Sequence, residues 1–277
     1  MPKKFEGILI ATDLDGTLLS NDGTISRKNI DAVQYFMQEG GLFTFATGRN
    51  IGPAREFAQK LCPNVPAILT NGSVLYDFRA DEVRWDCPIS ERGKEIMKET
   101  MRHFPQLGTE VTSYGKVYIV RESEYTHKHV TFERIDPTYC GWDALPEKWH
   151  KVVYADDPDL LQRVAKWCEE RREGEVQYVF STTFFYEMTP NRVNKGTSLK
   201  VLRDILNFEL DKIVAIGDYY NDLDFIRCAD IGVFTQNAPE ELKPLADFTV
   251  CSNEEGALAD LIGRIESGIL RKGSSDK

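Results

Sequence analysis

Two aspartates one residue apart, Asp13 and Asp15, follow an apolar run that covers residues 7–12, and Gly16 stands directly behind them. An apolar run bounded by turn residues predicts a strand buried on both faces, so the pair lies where that strand ends. A single aspartate in such a place is often explained by an Asx turn or a helix cap. Two neighbouring carboxylates repel each other unless a cation or a shared proton holds them, and their oxygens suit Mg²⁺. The pair therefore predicts a divalent metal site.

Polar residues also follow two other strand-like runs. Thr47 and Gly48 come after "LFTFA", where a hydroxyl and an amide could donate hydrogen bonds to an anion, although a turn explains these two residues at least as well. Asp218, Asn221 and Asp222 follow "KIVAIG". Open parallel sheets bind ligands at the carboxyl ends of their strands. Three polar strand ends therefore predict one shared site.

Lys195 stands in "NKG" at the amino end of a predicted helix. A cation in this position opposes the helix dipole, so a neighbouring anion is expected to compensate it. We expect that anion to be Asp15, Asp218 or a bound phosphate.

Apolar runs and helix-like segments alternate in the two outer parts of the chain. The strand candidates are residues 7–12, 42–47, 67–72, 212–218, 231–235 and 248–251. Helix candidates with helical spacing of apolar residues include 26–39 and 195–206. This alternation predicts an α/β fold, with a Rossmann-like parallel sheet as the core and helices on both of its faces.

The middle third of the chain breaks this alternation. Residues 90–104 and 158–171 are predicted helices, and each precedes a candidate hairpin with its turn at "SYGK" or "STTF". Residues 122–150 are polar and aromatic, and we expect connecting turns around short elements there. The pattern predicts an inserted α+β domain. Its predicted boundaries are 85–188, within a core made of 1–84 and 189–277.

Four motifs in chain order, "DLDGTL", "ATGR", "NKG" and "GDYYND", resemble those of the haloacid dehalogenase superfamily of phosphotransferases. The insert lies between the second and third motifs, which resembles the Cof-type subgroup with its large α/β cap. The stretch "LTNGSVLYD" is similar to the third-strand region of that subgroup.

The resemblance implies a role for each motif residue. Asp13 would be the nucleophile that forms an aspartyl-phosphate, and Asp15 would protonate the leaving alkoxide and then deprotonate water. Mg²⁺ would be held by Asp13, the backbone carbonyl of Asp15, and Asp218. Asp222 would orient metal-bound water, and Thr17 would hold the loop. The residues implied to contact the phosphate are Leu14, Thr47, Gly48, Lys195 and Asn221.

The implied activity is that of a Mg²⁺-dependent phosphatase acting on a small phosphorylated metabolite, such as a sugar phosphate or a phosphorylated cofactor. A sugar phosphomutase has similar motifs but returns the phosphoryl group to the sugar. A receiver-like phosphoacceptor module shares the α/β core, but it has no use for the acid-base partner that the DxD spacing supplies. A catalytically silent metabolite binder is also compatible with the sequence.

In the insert, a polar-aromatic stretch could contact the leaving group of a substrate, although local packing is the more frequent role of such residues. Its members are His127, His129, Arg134, Tyr139 and Trp142.

Composition narrows the possible partners and the cellular location. The formal net charge of −10 disfavours nucleic acid, whose binding requires clustered Lys and Arg. No stretch approaches the roughly twenty apolar residues of a membrane span, and the apolar run near the amino terminus is too short for a signal peptide. Six cysteines without a CxxC pair predict neither a zinc site nor a disulfide framework. We expect a cytoplasmic monomer or homodimer.

Overall fold

The computed structural model describes residues 3–132, 135–171, 174–206 and 210–271. They form two compact units. The first unit contains the described residues of Met1–Gly48, Glu56–Arg84 and Asn194–Lys277. The second unit contains those of Arg49–Arg55 and Trp85–Val193.

The first stretch of the chain alternates strands and helices before it enters a run of short strands. Its elements are β1 (Ile8–Asp13), α1 (Arg27–Gln38), β2 (Leu42–Ala46), α2 (Ile51–Leu61), β3 (Ala67–Leu69), β4 (Val74–Asp77) and β5 (Glu82–Asp86). Helix α1 begins where the Ser26 hydroxyl accepts a hydrogen bond from the Asn29 amide, and it buries Val33 and Phe36.

The described residues of the middle stretch contain three α-helices and six strands. Its elements are α3 (Glu91–His103), β6 (Thr109–Ser113), β7 (Lys116–Arg121), α4 (Glu124–Phe132), β8 (Thr138–Tyr139), β9 (Lys151–Ala155), α5 (Pro158–Glu169), β10 (Val176–Thr182) and β11 (Phe185–Pro190). The six strands form one sheet in the order β10-β11-β9-β6-β7-β8. A helix followed by a hairpin occurs twice, as the sequence predicts.

The last stretch returns to alternating strands and helices. Its elements are α6 (Lys195–Ile205), β12 (Lys212–Gly217), α7 (Leu223–Cys228), β13 (Ile231–Thr235), β14 (Phe248–Val250) and α8 (Ala257–Glu266). These strands complete an eight-stranded sheet in the order β14-β13-β12-β1-β2-β3-β4-β5. The predicted α/β fold with a parallel core is confirmed.

One edge of the large sheet departs from the parallel prediction. Strand β3 ends at Leu69 rather than at residue 72, because Thr70–Gly72 forms a 3-10 turn. This turn reverses the chain, so β4 pairs antiparallel with β3. Antiparallel neighbours need only a short turn, whereas a parallel pair needs a crossover connection.

Three elements of the insert are not individually predicted from the sequence. Helix α4 and strand β8 lie within the segment predicted as connecting turns around short elements, and β9 follows that segment. The start of α4 is fixed by local hydrogen bonds rather than by an apolar stripe, since the Ser123 hydroxyl accepts from the amides of Tyr125 and Thr126. Such a helix has little hydrophobic periodicity to reveal it.

The two units also differ from the predicted boundaries. Strand β11 runs past residue 188 and pairs Pro190 with Val176, and the Gln177 side chain donates to the Val193 carbonyl. These bonds keep the chain in the second unit up to Val193. Arg49–Arg55 also belongs to that unit, where Gly115 lies against Ile51.

Within the described residues, no helix has both the length and the apolar composition that a membrane crossing requires. The cytoplasmic location remains a prediction.

Candidate active site

Three neighbouring strands of the first unit bring the predicted motif residues to one edge of the sheet. Strand β1 lies between β12 and β2 and pairs parallel with both. Thr12 is opposite Ile216, and Asp13 is opposite Ala46. Asp13 therefore ends β1 at the same edge from which Thr47 and Asp218 continue.

Lys195 joins two carboxylates in the interior of the first unit. Its Nζ lies 2.5 Å from Asp13 Oδ1 and 2.6 Å from Asp222 Oδ1. Lys195 is 1% exposed, and Asp222 is 1% exposed. The hydrogen-bonded partners of Lys195 are therefore not the expected Asp15 or Asp218, although Lys195 is close enough to Asp218 to oppose the rise in its pKa. The ammonium instead holds the proposed nucleophile and the last aspartate of the fourth motif.

The start of α6 places Lys195 at this position. The Asn194 side-chain oxygen accepts a hydrogen bond from the backbone amide of Thr197 at 2.8 Å. The Thr197 hydroxyl accepts one from the backbone amide of Asn194 at 3.0 Å. This reciprocal capping box makes Lys195 the first helical residue. Asp13 and Asp222 supply the negative charge that a cation requires at the amino end of a helix.

Asp222 is held in place by the turn that carries it. Its Oδ2 accepts hydrogen bonds from the amides of Asp218 and Tyr219, at 3.0 and 3.2 Å. Both oxygens of Asp222 are therefore used, one by the backbone and the other by Lys195. This geometry suits a residue that positions the lysine and the turn.

Asp218 is fixed from the loop that follows β1. The Thr17 hydroxyl donates to Asp218 Oδ1 at 2.8 Å. Gly16 has a φ of +83°, and a Cβ at this position would lie 2.4 Å from Asp218 Oδ2. Only glycine lets the loop pass this close to the carboxylate without strain.

Excess negative charge characterises the cluster. Burial raises the pKa of Asp13 well above its usual value; Lys195 opposes this, and Asp222 and Asp218 add to it. Burial also raises the pKa of Asp218 to about 6. Burial alone would lower the pKa of Lys195, but Asp13 and Asp222 raise it above its usual value. Burial is the first cause of both raised aspartate pKa values, and the neighbouring carboxylates add to it because three carboxylates lie near one ammonium.

The donor set fits a divalent cation. Asp13, Asp218 and Asp222 each offer a carboxylate oxygen, and these oxygens lie within 4.8 Å of one another. The hydrogen bonds of Asp13 and Asp218 use one oxygen each, Oδ1 in both cases. Carboxylate oxygens are the ligands that Mg²⁺ prefers, and its charge would balance the excess. Asp13 and Asp218 are thus the side chains suited to hold the ion.

Comparison with known families decides what kind of protein this arrangement belongs to. The chain matches the family model of haloacid dehalogenase-like hydrolases over residues 10–262. The chain belongs to this family. The resemblance predicted from the four motifs is confirmed.

Relatives of this hydrolase are phosphatases. It is 26% identical over 267 residues to pyridoxal phosphate phosphatase YbhA of Escherichia coli (strain K12), which covers 92% of this chain and 97% of the relative. It is 26% identical over 255 residues to 5-amino-6-(5-phospho-D-ribitylamino)uracil phosphatase YcsE of Bacillus subtilis (strain 168), covering 92% and 94%. The family match and these relatives confirm the prediction of a phosphatase.

A solved structure of similar fold comes from the same family. The crystal structure of a haloacid dehalogenase-like hydrolase from Bacteroides thetaiotaomicron matches the chain with a TM-score of 0.84 at 25% identity. The match covers 94% of this chain and 99% of that one. Both units are therefore included in the likeness.

The other predicted site residues of this hydrolase differ in accessibility. Thr47 is 1% exposed and Gly48 is half-buried. Leu14 is fully buried, so its side chain belongs to the core. Asp15 and Asn221 are exposed, and the cluster of carboxylate side chains does not include Asp15.

Sequence reasoning missed Asn71 as a site candidate. The backbone amide of Asn71 donates to the Thr47 carbonyl at 3.0 Å. A Cβ on Gly48 would lie 3.0 Å from Asn71 Oδ1. This Oδ1 is buried and has no hydrogen-bond partner among the described residues. Thr70 and Asn71 both have a φ of +53°, and such strain is concentrated at functional sites. The signal available in the sequence was "TNG" at the end of a strand.

The polar-aromatic stretch of the insert makes local contacts. His129 bonds to Glu110 at 2.7 Å, His127 lies 3.1 Å from Glu122, and the Arg102 guanidinium lies over the Trp142 ring. Arg134 lies outside the described residues, and Tyr139 is exposed. A role of these side chains in substrate contact remains a prediction.

Proposed function

We propose that this chain is a Mg²⁺-dependent phosphatase that hydrolyses a small phosphorylated metabolite through an aspartyl-phosphate on Asp13. The observation that carries the proposal is the buried cluster in which Asp13 lies 2.5 Å from Lys195 and beside Asp218. A carboxylate nucleophile splits one difficult displacement into two easier ones. It also requires positive charge nearby to receive an anionic phosphate.

Each residue of the candidate active site has a separate task in this proposal. Asp13 attacks phosphorus, while Lys195 holds the Asp13 carboxylate and is within reach of a phosphoryl oxygen bound to it. Exposed Asp15 gives a proton to the leaving alkoxide and later takes one from the attacking water. Thr47 and Gly48 donate hydrogen bonds to the phosphoryl group, and the backbone of Leu14 and the side chain of Asn221 complete its contacts. Asp222 keeps Lys195 in position.

The metal is assigned to Asp13, the Asp15 carbonyl and Asp218. When bound, Mg²⁺ would offset the repulsion between the anionic nucleophile and the anionic substrate.

Small phosphate monoesters are the proposed substrates. The two relatives are named for pyridoxal phosphate and for a phosphorylated ribitylaminouracil. Both compounds are small phosphorylated metabolites, which supports the same substrate class, or a sugar phosphate, for this chain.

The test is release of inorganic phosphate from a panel of sugar phosphates, nucleotides and phosphorylated cofactors, with Mg²⁺ and with excess chelator. Wild type, Asp13→Asn and the exposed control Asp31→Asn are compared. We expect Mg²⁺-dependent release from wild type and Asp31→Asn alone. Release from Asp13→Asn at the wild-type rate would overturn the proposal. Transfer of the phosphoryl group to another sugar position, without release, would favour the phosphomutase.

A further inference from the structure

The sheet of the second unit has two chemically different faces. One face carries Val152, Tyr154 and Met188, which pack in a hydrophobic core with Met97 of α3 and Leu161 of α5. Side chains of a strand alternate between faces, and directly paired residues share a face. The intervening residues therefore belong to the opposite face.

Three charged residues lie on that opposite face. Val153 of β9 is paired on one side with Glu110 of β6 and on the other with Glu187 of β11. Lys151 is two residues before Val153, so it shares the same face. A buried valine thus separates two glutamates that stand on either side of one strand.

Both glutamates are buried and only partly hydrogen-bonded. Glu110 is 1% exposed and Glu187 is 7% exposed. Glu110 Oε2 bonds to His129 Nδ1 at 2.7 Å, and Glu187 Oε1 accepts from Lys151 Nζ at 3.2 Å. Glu110 Oε1 and Glu187 Oε2 have no hydrogen-bond partner among the described residues.

Buried polar atoms in native proteins are almost always hydrogen-bonded to protein, water or a ligand. Two unsatisfied acceptors on one face, each from a separate strand, therefore indicate a place for a molecule that supplies donors. Their strands flank β9, so the two Cα atoms are about 10 Å apart. A ligand that reaches both acceptors carries donors on separated atoms.

The charge beside the acceptors selects the kind of donor. The Lys151 ammonium lies next to Glu187, so a cationic ligand would be repelled at this acceptor. A hydroxyl can donate to Glu187 and accept from Lys151 at the same time, because it has both functions. Hydroxyl groups on neighbouring carbons match this pairing better than an ammonium does.

We propose that Glu110, Lys151 and Glu187 form a binding site for a polyhydroxylated ligand, such as an alditol or an aldose, on the second unit. The ring of Phe185, which lies 4.7 Å from the His129 ring, supplies an apolar surface on the same face. Binding itself does not depend on the phosphatase chemistry. The consequence of polyol binding for substrate choice rests on the proposed function: phosphate esters of polyols would be the preferred substrates.

The test is calorimetric titration of the full chain with unphosphorylated ribitol, glucitol and glucose, with ethanolamine as the cationic comparison. Asp13→Asn is titrated beside wild type and should bind as wild type does. This arrangement keeps the result independent of turnover, so a failure of the phosphatase proposal and a failure of this one are distinguishable.

Glu110→Gln and Glu187→Gln are nearly isosteric and replace one acceptor oxygen by a donor. We expect each to weaken polyol binding by about tenfold or more. The control Glu91→Gln, at an exposed position of α3, should bind as wild type does. Circular dichroism shows which variants are folded. One folded glutamine variant, at Glu110 or at Glu187, is enough for the test.

Absence of polyol binding to wild type would overturn the proposal, as would unchanged binding in the folded glutamine variants. Tighter binding of ethanolamine than of any polyol would overturn the assigned ligand class.

Discussion

Among single residues, Gly16 is the one that lets the loop after β1 approach Asp218 closely. Gly16→Ala would place a Cβ 2.4 Å from Asp218 Oδ2 and would also strain a φ of +83°. We expect this variant to release phosphate about a hundredfold more slowly, because small displacements of reacting groups have effects of that size.

Gly23→Ala is the matched control for Gly16→Ala. Gly23 has a φ of +78°, but nothing lies within 4 Å of its Cβ position. Both variants should lose about 1–2 kcal/mol of unfolding free energy from the left-handed backbone conformation. Equal rates of phosphate release in the two variants would show that the space glycine leaves beside Asp218 is not needed for activity.

Lys195 is predicted to be as important for stability as for chemistry. Lys195→Met leaves Asp13 and Asp222 buried without their shared cation, which should lower the free energy of unfolding by about 3–5 kcal/mol. The control Lys200→Met, exposed on the same helix, should change it by less than about 0.5 kcal/mol. Urea unfolding measures both. Similar midpoints for the two variants would contradict the pairing.

Residue types at strand ends were predictable, whereas their partners were not. Asp13, Thr47 and Asp218 converge because adjacent parallel strands end at one edge of a sheet. The pairing of Lys195 with Asp222 depends on the 3-10 turn Tyr220–Asp222, because the amides of Asp218 and Tyr219 just before it orient the Asp222 carboxylate. No spacing rule in the sequence reveals such a turn.

Among the elements of the second unit, a buried histidine joins Asp86 to the hairpin of β6 and β7. Asp86 accepts hydrogen bonds from Tyr114 at 2.9 Å, and from His150 and Lys148 at 3.1 Å. Burial lowers the pKa of His150 below its ordinary 6.5, although Asp86 opposes this. The folded chain therefore holds this imidazole neutral.

The sign of the pH effect follows from that direction. Between the folded pKa of His150 and 6.5, the unfolded chain binds more protons than the folded chain. His150 therefore contributes its full stability above pH 6.5, and the contribution is lost as pH falls below that value toward the folded pKa. We expect the unfolding midpoint in urea to fall between about pH 7.5 and about pH 5.5. His150→Gln should show a smaller fall, and an equal fall would exclude His150 as its source.

Strongly periodic elements were predictable, and weakly periodic ones were not. The helices at 26–39 and 195–206 were found within one residue at each end, because apolar spacing and caps agree there. Helix α4 has a polar surface and a cap made by Ser123, so its sequence resembles connecting turns.

At the scale of the whole molecule, metal binding should stabilise the folded chain. The cluster of Asp13, Asp218 and Asp222 exists only when the strand ends are assembled, so Mg²⁺ should bind the folded state preferentially. At about a hundred times its dissociation constant, Mg²⁺ should add about 2.7 kcal/mol to the free energy of unfolding.

Ionic strength is matched with NaCl in this measurement, and Asp218→Asn serves as the variant without a complete site. Mg²⁺ should stabilise the wild type and have little effect on Asp218→Asn. Equal stabilisation by NaCl, or equal effects of Mg²⁺ on both proteins, would contradict a metal site in this cluster.

The insertion of a second unit was predictable because the alternation of strands and helices stops in the middle of the chain. The residues at which the unit begins and ends were not predictable. The chain leaves the second unit only at Val193, because β11 and the bond from Gln177 continue the structure beyond residue 188. Hydrophobic patterns locate strands, whereas long-range hydrogen bonds decide where a unit ends.

The aspartyl-phosphate on Asp13 is tested by locating phosphate on the protein during turnover. p-Nitrophenyl phosphate is supplied to Asp15→Asn with Mg²⁺, the reaction is quenched in acid, and peptides are analysed by mass spectrometry. This leaving group needs no proton, so the variant should form the phosphorylated residue and hydrolyse it slowly for lack of a base. We expect phosphate on Asp13. Continued turnover with no phosphorylated Asp13 at any time would contradict it.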